Sequence, residues 1–373
     1  MPPFAFAGPG RIIFGRGEFS KAQSLVSELG KRPFVVHGAT PRHAGPFLDT
    51  LGGAATAHAC PREPDLDMLL GALTAARAAG ADCVVAIGGG AAIDLGKAVA
   101  GLLRTQSDPL DHLEVVGKGL PLTTPPAPFM AVTTTAGTGA EVTKNAVIGV
   151  PDHRRKVSLR DQRMLADIAL VDPELTGDTP LDITLASGLD AITQVIEPYV
   201  SSRANPMTDA LCRDAIPRGL RALNRLMQDE DPAARDDMAL VSLFGGLALA
   251  NAGLGAVHGL AGVIGGVAPR APHGAVCGAL LPYVMAANFA ACGRDSLQAR
   301  RLAEVRVSIG ESLGTADLAT WSAKHGLPRL GQMGVSPKDH ATIAQQAQAS
   351  SSMKANPVPL SADILTQVLQ AAG

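Results

Sequence analysis

The N-terminal half of the chain alternates short apolar runs with stretches of helical period. The runs "RIIFG", "RPFVVHG" and "DCVVAIGGG" have the length and composition typical of buried strands. Helical patterns lie from Gly17 to Leu29, after Asp65 as an N-cap, and from Ala91 to Leu103. Strands that alternate with helices predict a mostly parallel sheet that is covered on both faces.

The pattern changes between Asp172 and Pro180, after which strand-like runs stop and long helical patterns continue to the C-terminus. A chain of 373 residues is long enough for two domains. We therefore predict an α/β domain over residues 1–176 and an all-helical domain over residues 177–373. The Pro-rich "KGLPLTTPPAPF" is expected to be a loop of the first domain, and "SSSMKANPVPLS" a loop before a last short helix.

One segment, Met238 to Pro269, contains no Asp, Glu, Lys or Arg and is long enough to span a bilayer. Eight glycines and the polar Ser242, Asn251 and His258 interrupt it. Small residues at this density suit helices that approach each other closely in a protein interior. We expect an interior helix, a turn and a second helix, and no membrane partner.

The composition excludes several classes of function. With 32 basic and 34 acidic residues the net charge is -2, and aromatic residues make up 3% of the chain, so a nucleic-acid partner is not expected. The five cysteines are scattered without a C-x-x-C pair, which indicates neither a disulfide framework nor a thiolate zinc site. The N-terminus does not resemble a secretory signal, and a cytoplasmic location is expected.

Two histidines, His258 and His273, frame the Gly-rich run "HGLAGVIGGVAPRAPHG", and "SGLDAITQVIEPYV" upstream carries an acid and an amide. On a helix, Asp190 and Gln194 stand four apart and project from one face, so these four residues have the donor atoms for one metal ion. Asp190 is one of two charged residues in "ITLASGLDAITQVIEPYVSS", a stretch patterned for burial, where an acid is costly without a partner. The alternative is that the histidines are satisfied core residues.

The segment "VVAIGGGAAIDLGK" places Gly88, Gly89 and Gly90 between a buried strand and a helix. Glycines there allow the backbone to approach a pyrophosphate, toward which the first amides of the helix point. The spacing is not G-x-G-x-x-G, and such turns also carry glycines for steric reasons alone.

A second loop of this type follows the next strand, in "FMAVTTTAGTGAEVT". Thr134, Thr135 and Thr138 offer hydroxyl groups, and the intervening glycines offer backbone amides, for phosphate or ribose oxygens. A Thr-rich turn without a ligand is the alternative. Because parallel strand ends converge on one crevice, the two loops together favour a dinucleotide site.

These motifs resemble one family along nearly the whole chain. The segments "IIFGRGEF", "GGGAAIDLGK", "TTTAGTGAEVT", "VDPELT", "SGLDAITQVIEPYV" and "APHGAVCGALLPYVM" are similar to those of the iron-containing (group III) alcohol dehydrogenases, relatives of glycerol dehydrogenase and dehydroquinate synthase. The resemblance implies the dehydroquinate synthase-like fold, an N-terminal α/β dinucleotide-binding domain followed by an all-α domain. It also implies a homodimer.

The resemblance assigns roles to individual residues. It implies that Asp190, Gln194, His258 and His273 are the metal ligands, with iron expected and zinc as the alternative. The positions that it implies for binding NAD or NADP are Gly38, Gly88, Gly89, Gly90, Asp94, Thr134, Thr135 and Thr138. Lys97, one helical turn after Asp94, is expected to be a surface charge.

The chain departs from the family pattern at three points. Gln194 stands where the family usually has a histidine, and an amide binds a divalent ion more weakly than an imidazole does. Gly262 stands where many members have a histidine four residues after His258. The spacing from His258 to His273 is also one residue longer than expected.

The function that the resemblance implies is reversible hydride transfer between a nicotinamide cofactor and a small alcohol or carbonyl compound, with no nucleophilic side chain. A maleylacetate reductase is an alternative, although such enzymes generally lack the acidic ligand that Asp190 provides. A dehydroquinate synthase-like lyase would need more basic residues near the motifs than this chain has. A non-catalytic nucleotide-binding relative is the remaining alternative, because of Gln194 and Gly262.

Overall fold

The computed structural model describes residues 3–373, which group into two compact units. The first comprises residues 8–135 and 139–177, and the second comprises residues 3–7, 136–138 and 178–373. The main division between the two units lies between Gly177 and Asp178. Two short segments group with the second unit although they lie before residue 176.

The first unit contains strands and helices in alternation. Among the described residues its strands are β1 (Arg11–Phe14), β2 (Pro33–His37), β3 (Thr56–Ala59), β4 (Cys83–Gly88), β5 (Phe129–Thr133), β6 (Asn145–Val150), β7 (Arg155–Arg160) and β8 (Ile168–Val171). Its helices are α1 (Ala22–Leu29), α2 (Ala44–Thr50), α3 (Leu66–Ala78), α4 (Gly90–Leu102) and α5 (Pro109–His112). Short 3-10 turns occur at Glu18–Lys21, Ala140–Val142, Pro151–His153, Gln162–Met164 and Pro173–Thr176.

Six of these strands pair in parallel in the order β1-β8-β5-β4-β2-β3. The side chains of successive residues in a strand point to opposite faces of the sheet, so they pack in two different apolar cores. Phe34 and Val36 pack with α3 and α4, whereas Val35 packs with α1 and α2. The predicted parallel sheet with both faces covered is therefore confirmed.

The short β3, the short helices α2 and α5, and the antiparallel pair β6–β7 were not predicted. Strand β6 alternates buried and half-buried residues, and it packs on α4. Its sequence, "NAVIGV", is followed by "PDH" and then by the basic "RRK". A six-residue run beside charged residues gives too weak a periodicity to be distinguished from a loop.

The second unit is helical, as predicted. Within residues 178–373 its helices are α6 (Leu181–Val200), α7 (Pro206–Leu226), α8 (Pro232–Ala252), α9 (Ala256–Val267), α10 (His273–Ala291), α11 (Leu297–Leu313), α12 (Leu318–Lys324), α13 (His340–Gln348) and α14 (Ala362–Ala372). Short 3-10 turns occur at Pro337–Asp339 and Ser352–Ala355. Helix α6 packs against α7, α8 and α10, and its apolar side chains Leu189, Ile192 and Val195 are fully buried.

The uncharged segment forms two helices joined by a turn, as predicted. Helix α8 ends at Ala252, Gly253 has a φ of 74°, and α9 begins at Ala256. The two helices are bent by 98° relative to each other. Within the described part of the chain, α10 has the length and composition of a membrane-crossing helix. The pair α8–α9 also has them if the two helices are counted as one span.

The first unit buries an ionic cluster that the sequence did not reveal. Lys97 is 0% exposed and not a surface charge, and its Nζ donates to Ala140 O (2.6 Å), Thr143 Oγ1 (2.9 Å) and Asn145 O (3.0 Å). Glu141 is also 0% exposed, and neither carboxylate oxygen has a hydrogen-bond partner among residues 3–373. Burial raises the pKa of Glu141 from 4.5 to about 7, although its own backbone N–H and the charge of Lys97 lower it in part.

This pKa predicts a pH-dependent stability. The pKa of Glu141 is higher in the folded state than in the unfolded state. The contribution of Glu141 to the free energy of unfolding is therefore fully present below the unfolded pKa of 4.5, and it is lost as the pH rises through about 7. Glu141→Gln removes the titration. The free energy of unfolding of Glu141→Gln minus that of the wild type should therefore increase between about pH 5 and pH 8, by up to about 3 kcal/mol. Chemical denaturation followed by circular dichroism at both pH values measures the change.

Comparing variant and wild type at each pH cancels the contributions of groups that both proteins share. The exposed Glu311→Gln serves as the control and should show no such change. A free-energy difference between Glu141→Gln and wild type that stays constant with pH would show that Glu141 does not titrate as described.

Candidate metal and cofactor sites

Helix α6 presents three polar side chains from one buried face. Asp190, Gln194 and Glu197 stand at positions i, i+4 and i+7, and they are 2%, 3% and 4% exposed. Two of them are predicted metal ligands, whereas Glu197 is not. A helix that buries two acids needs partners for both of them.

The histidines come from the starts of two other helices. His258 is the third residue of α9, and His273 is the first residue of α10. Gly274 allows α10 to begin against α6, because a Cβ at this position would lie 2.4 Å from Ala186 O. This close approach brings His273 Nε2 to 4.0 Å from Asp190 Oδ1, and His258 Nε2 lies 3.4 Å from the same oxygen.

The convergence fits a divalent metal ion. Asp190 Oδ1 is buried and has no hydrogen-bond partner within residues 3–373. Two oxygen or nitrogen ligands of a tetrahedral zinc ion lie about 3.3 Å apart, close to the distance between Asp190 and His258. Cys277 lies in the same cluster, and the ligand atoms of Asp190, His258, His273 and Cys277 are all within 4.8 Å of one another.

Glu197 fixes the orientation of His258. The Nδ1 atom of His258 lies 2.7 Å from Glu197 Oε2 and donates to it, while Glu197 Oε1 accepts from the Val257 N–H at 2.7 Å. This arrangement leaves Nε2 of His258 directed toward Asp190, and a carboxylate of this kind makes the imidazole a better ligand. The sequence carried a signal for it, because Glu197 is the second charged residue of the apolar stretch around Asp190.

The charged side chains of this cluster stabilise one another. Burial raises the pKa of Asp190, but the nearby His258, His273 and Cys277 side chains outweigh it, so the net shift is downward. Burial lowers the pKa of His258, yet the Cys277, Asp190 and Glu197 side chains raise it well above its usual value. Burial raises the pKa of the Cys277 thiol to about 12. Metal binding at this site must therefore displace protons.

Replacing Glu197 with glutamine should weaken metal binding by about 10-fold to 100-fold, the usual effect of losing a carboxylate behind a metal-bound histidine. An amide offers one acceptor atom, so either the Val257 N–H or His258 Nδ1–H loses its partner. Competition with a chelator measures the metal dissociation constant. The melting temperature of the metal-free protein separates this effect from loss of folding, with Glu311→Gln as the control. Unchanged metal affinity would contradict a positioning role for Glu197.

Gln194 lies on the same face, but its amide already has a partner. Its Nε2 donates to Gly137 O at 2.8 Å. No contact in the structure tests whether Gln194 is also a ligand, which stays a prediction. At Gly262 a Cβ would have no neighbour within 4 Å among the described residues.

The predicted cofactor loops of the first unit meet at one edge of the sheet. Gly38 follows β2, Gly88 ends β4, and Thr134 follows β5, and these strands are neighbours in the order β5-β4-β2. The Thr134 N–H donates to Gly88 O at 3.0 Å. A Cβ at Gly89 would lie 3.2 Å from Thr135 Oγ1. The structure thus brings these five residues together at the carboxyl ends of parallel strands, where α/β sheets bind ligands.

The other predicted cofactor residues lie nearby in sequence. Gly90 is the first residue of α4, and Gly89 is the N-cap of that helix. The backbone N–H groups of the first turn, which have no acceptor within the helix, therefore lie next to this loop. Asp94 is half-buried one turn further on, and burial raises its pKa to about 6 despite the charge of Lys97. Thr138 belongs to the second unit.

Comparison with known proteins decides the family. Residues 9–173 match the family model for iron-containing alcohol dehydrogenase, and residues 184–373 match the model for the C-terminal part of the Fe-containing alcohol dehydrogenase family. The chain belongs to the iron-containing alcohol dehydrogenase family. The resemblance inferred from the motifs is confirmed, as is the α/β plus all-α fold.

Members of this family include full-length relatives of this chain. It is 31% identical over 366 residues to the probable alcohol dehydrogenase EutG of Escherichia coli (strain K12), covering 96% of this chain and 90% of that protein. It is 32% identical over 368 residues to 4-hydroxybutyrate dehydrogenase of Cupriavidus necator, covering 95% and 96%. A crystal structure of 1,3-propanediol oxidoreductase matches with a TM-score of 0.88 and 28% identity over 100% of both chains.

As an iron-containing alcohol dehydrogenase, the chain is an oxidoreductase of small alcohols and aldehydes that uses NAD(P) and a divalent metal ion. The predicted enzyme class and cofactors are therefore confirmed at the level of the family. The comparisons do not favour a maleylacetate reductase, a lyase or a non-catalytic relative.

Proposed function

We propose that Asp190, His258 and His273 hold the metal ion of this alcohol dehydrogenase, with Gln194 predicted beside them. The observation that carries the proposal is the convergence of two imidazoles on a buried carboxylate oxygen that has no hydrogen-bond partner within residues 3–373. When bound, a divalent ion acts as a Lewis acid toward the substrate oxygen, an effect worth several kcal/mol.

We propose that the loops at the carboxyl ends of β2, β4 and β5 bind the dinucleotide. The residues proposed for this site lie in the first unit and are Gly38, Gly88, Gly89, Gly90, Asp94, Thr134 and Thr135. The role of Thr138 stays a prediction from the resemblance. The amides at the start of α4 would face the pyrophosphate, and the threonine hydroxyls would bind phosphate or ribose oxygens. The nicotinamide carries the hydride, and the protein binds and orients it.

Two measurements test the proposed function. Protein purified without chelator should contain a divalent ion, at up to one per chain, and should oxidise NADH or NADPH with a small aldehyde. A panel of small aldehydes, keto acids and maleylacetate identifies the substrate class. Removing the metal with a chelator should abolish turnover, and adding it back should restore turnover. Full activity in a protein without metal would refute the proposal.

We expect this enzyme to accept NADP as well as NAD. A carboxylate after the strand that meets the adenosine ribose favours NAD, because it accepts from the 2′-hydroxyl and repels a 2′-phosphate. Here β2 is followed by Gly38 in "HGATPRH", which contains no acid and contains Arg42. Steady-state kinetics with both cofactors should give kcat/KM values within about tenfold, a difference of 1.4 kcal/mol. A large preference for NAD would contradict this prediction.

We propose a homodimer located in the cytoplasm. Strand β1 is at the edge of the sheet, and its apolar Ile12 and Phe14 are 40% and 38% exposed. An exposed apolar edge strand favours pairing with a second copy of the chain. Light scattering during size-exclusion chromatography measures the mass, and a monomer at micromolar concentration would exclude the dimer.

A further inference from the structure

We propose that Cys277 is the fourth protein ligand of the metal, a role that the scattered cysteines gave no reason to expect. This inference rests on the metal site proposed above. Cys277 Sγ lies 3.6 Å from His273 Nε2 and 3.8 Å from His258 Nε2. Its thiol is fully buried and, in the described part of the chain, is a free cysteine.

Three of the four distances between these ligand atoms are close to those of a tetrahedral coordination shell. Metal–nitrogen bonds of about 2.0 Å and metal–sulfur bonds of about 2.3 Å, at a tetrahedral angle, place nitrogen and sulfur about 3.6 Å apart. Both sulfur–nitrogen distances lie within about 0.2 Å of this value. The same geometry places oxygen and nitrogen about 3.3 Å apart. The Asp190–His258 distance is 3.4 Å, and the Asp190–His273 distance is 4.0 Å.

Helix α10 provides two of the four ligands from one face. His273 and Cys277 stand at positions i and i+4, so both side chains point toward α6 and α9. Asp190 on α6 supplies the independent observation of a cation site, because its buried Oδ1 has no hydrogen-bond partner among residues 3–373. Side chains from three helices therefore meet around one point.

A thiolate suits the fourth position better than the amide of Gln194 does. The Gln194 Nε2 atom donates to Gly137 O, and this hydrogen bond fixes the amide group. Its oxygen is also neutral, whereas a thiolate adds a second negative charge to that of Asp190. Two anions and two imidazoles balance a divalent ion in a buried site. We infer that Gln194 supports the site and that Cys277 coordinates.

Coordination by Cys277 releases one proton. The S–H bond of Cys277 breaks, the sulfur electron pair forms the bond to the metal, and the proton passes to the solvent. Because a thiolate is a softer ligand than an amide oxygen, it favours zinc over iron. The half-exposed side chain of His273, at 33%, leaves the site accessible from one side.

Cobalt(II) provides the test, because a thiolate ligand gives an intense charge-transfer absorption in the near ultraviolet. Metal-free wild type with one equivalent of cobalt should show this band. Cys277→Ser and Cys277→Ala should lose it and should bind zinc at least about 100-fold more weakly, the upper end of the loss from an outer-shell partner. Cys292→Ser, at the other end of α10, should keep the band, as should Gln194→Ala.

The outcomes separate the two proposals. Stoichiometric cobalt binding by the wild type without a charge-transfer band overturns the role of Cys277 and leaves the metal site intact. A band that persists in Cys277→Ala also overturns it. Loss of cobalt binding in Gln194→Ala, with no band in the wild type, assigns the fourth position to Gln194. Absence of any cobalt or zinc binding by the wild type refutes the proposed metal site itself.

Discussion

Replacing His273 with alanine should reduce metal-dependent turnover by about a thousandfold or more and leave dinucleotide affinity nearly unchanged. Helix α10 contributes the imidazole of His273 to the proposed metal site. Its Nε2 atom lies 3.6 Å from Cys277 Sγ and 4.0 Å from Asp190 Oδ1. Losing the Lewis acid removes several kcal/mol of stabilisation of the reacting oxygen, and each 1.36 kcal/mol is a factor of ten in rate. The proposed cofactor residues Gly38, Gly88, Gly89, Gly90, Asp94, Thr134 and Thr135 belong to the other unit, so their contacts remain.

Three measurements on His273→Ala are needed together: metal content, turnover, and the dissociation constant of the dinucleotide from fluorescence titration. His340→Ala is the matched control, because His340 is a histidine of the same unit that is 4% exposed and lies outside the metal cluster. The control can lose stability, but it should retain metal. If His273→Ala keeps full activity and full metal content, His273 is a core histidine and the metal site proposed here is wrong at that position.

The fold was predictable where the periodicity was strong. The runs that became β2 and β4 are continuous and apolar, and Asp65 caps α3 as expected, accepting from the Met68 N–H at 2.9 Å. The β6–β7 pair was missed because its strands are short and lie beside charged residues. Its stability comes from packing on α4, which no local pattern reveals.

The site was predictable in part for a similar reason. An acid in an apolar stretch needs a partner, which pointed to Asp190, and the motif around His258 and His273 supplied that partner. Cys277 was missed, although it follows His273 by four residues, because a lone cysteine in an apolar helix is most often a small core side chain. The cluster becomes visible only when three helices are packed together. Burial of Lys97 was missed because its acceptors, at Ala140, Thr143 and Asn145, come from a later segment.

Replacing Gly89 with valine should have the opposite effect to His273→Ala. It should weaken dinucleotide binding by about 100-fold and leave the metal content unchanged. The backbone at Gly89 is extended, with a φ of -76°, so a side chain causes no backbone strain there. The effect comes from space, because even a Cβ would lie 3.2 Å from both Thr135 Oγ1 and Thr135 Cγ2. The additional methyl groups of valine would stand between the first amides of α4 and a pyrophosphate. One or two lost charge-assisted hydrogen bonds cost about 1.5–3 kcal/mol each.

A graded series sharpens this prediction. Gly89→Ala should weaken binding less than Gly89→Val, because its single methyl meets only the movable Thr135 side chain. Gly71→Val is the matched control in the same unit, since a Cβ at Gly71 would have no neighbour within 4 Å among the described residues. Fluorescence titration with NADH and NADPH gives the dissociation constants, and metal analysis gives the occupancy of the other site. If Gly89→Val binds both cofactors as tightly as Gly71→Val does, the glycines after β4 serve the packing of the strand against α4, and the pyrophosphate binds elsewhere.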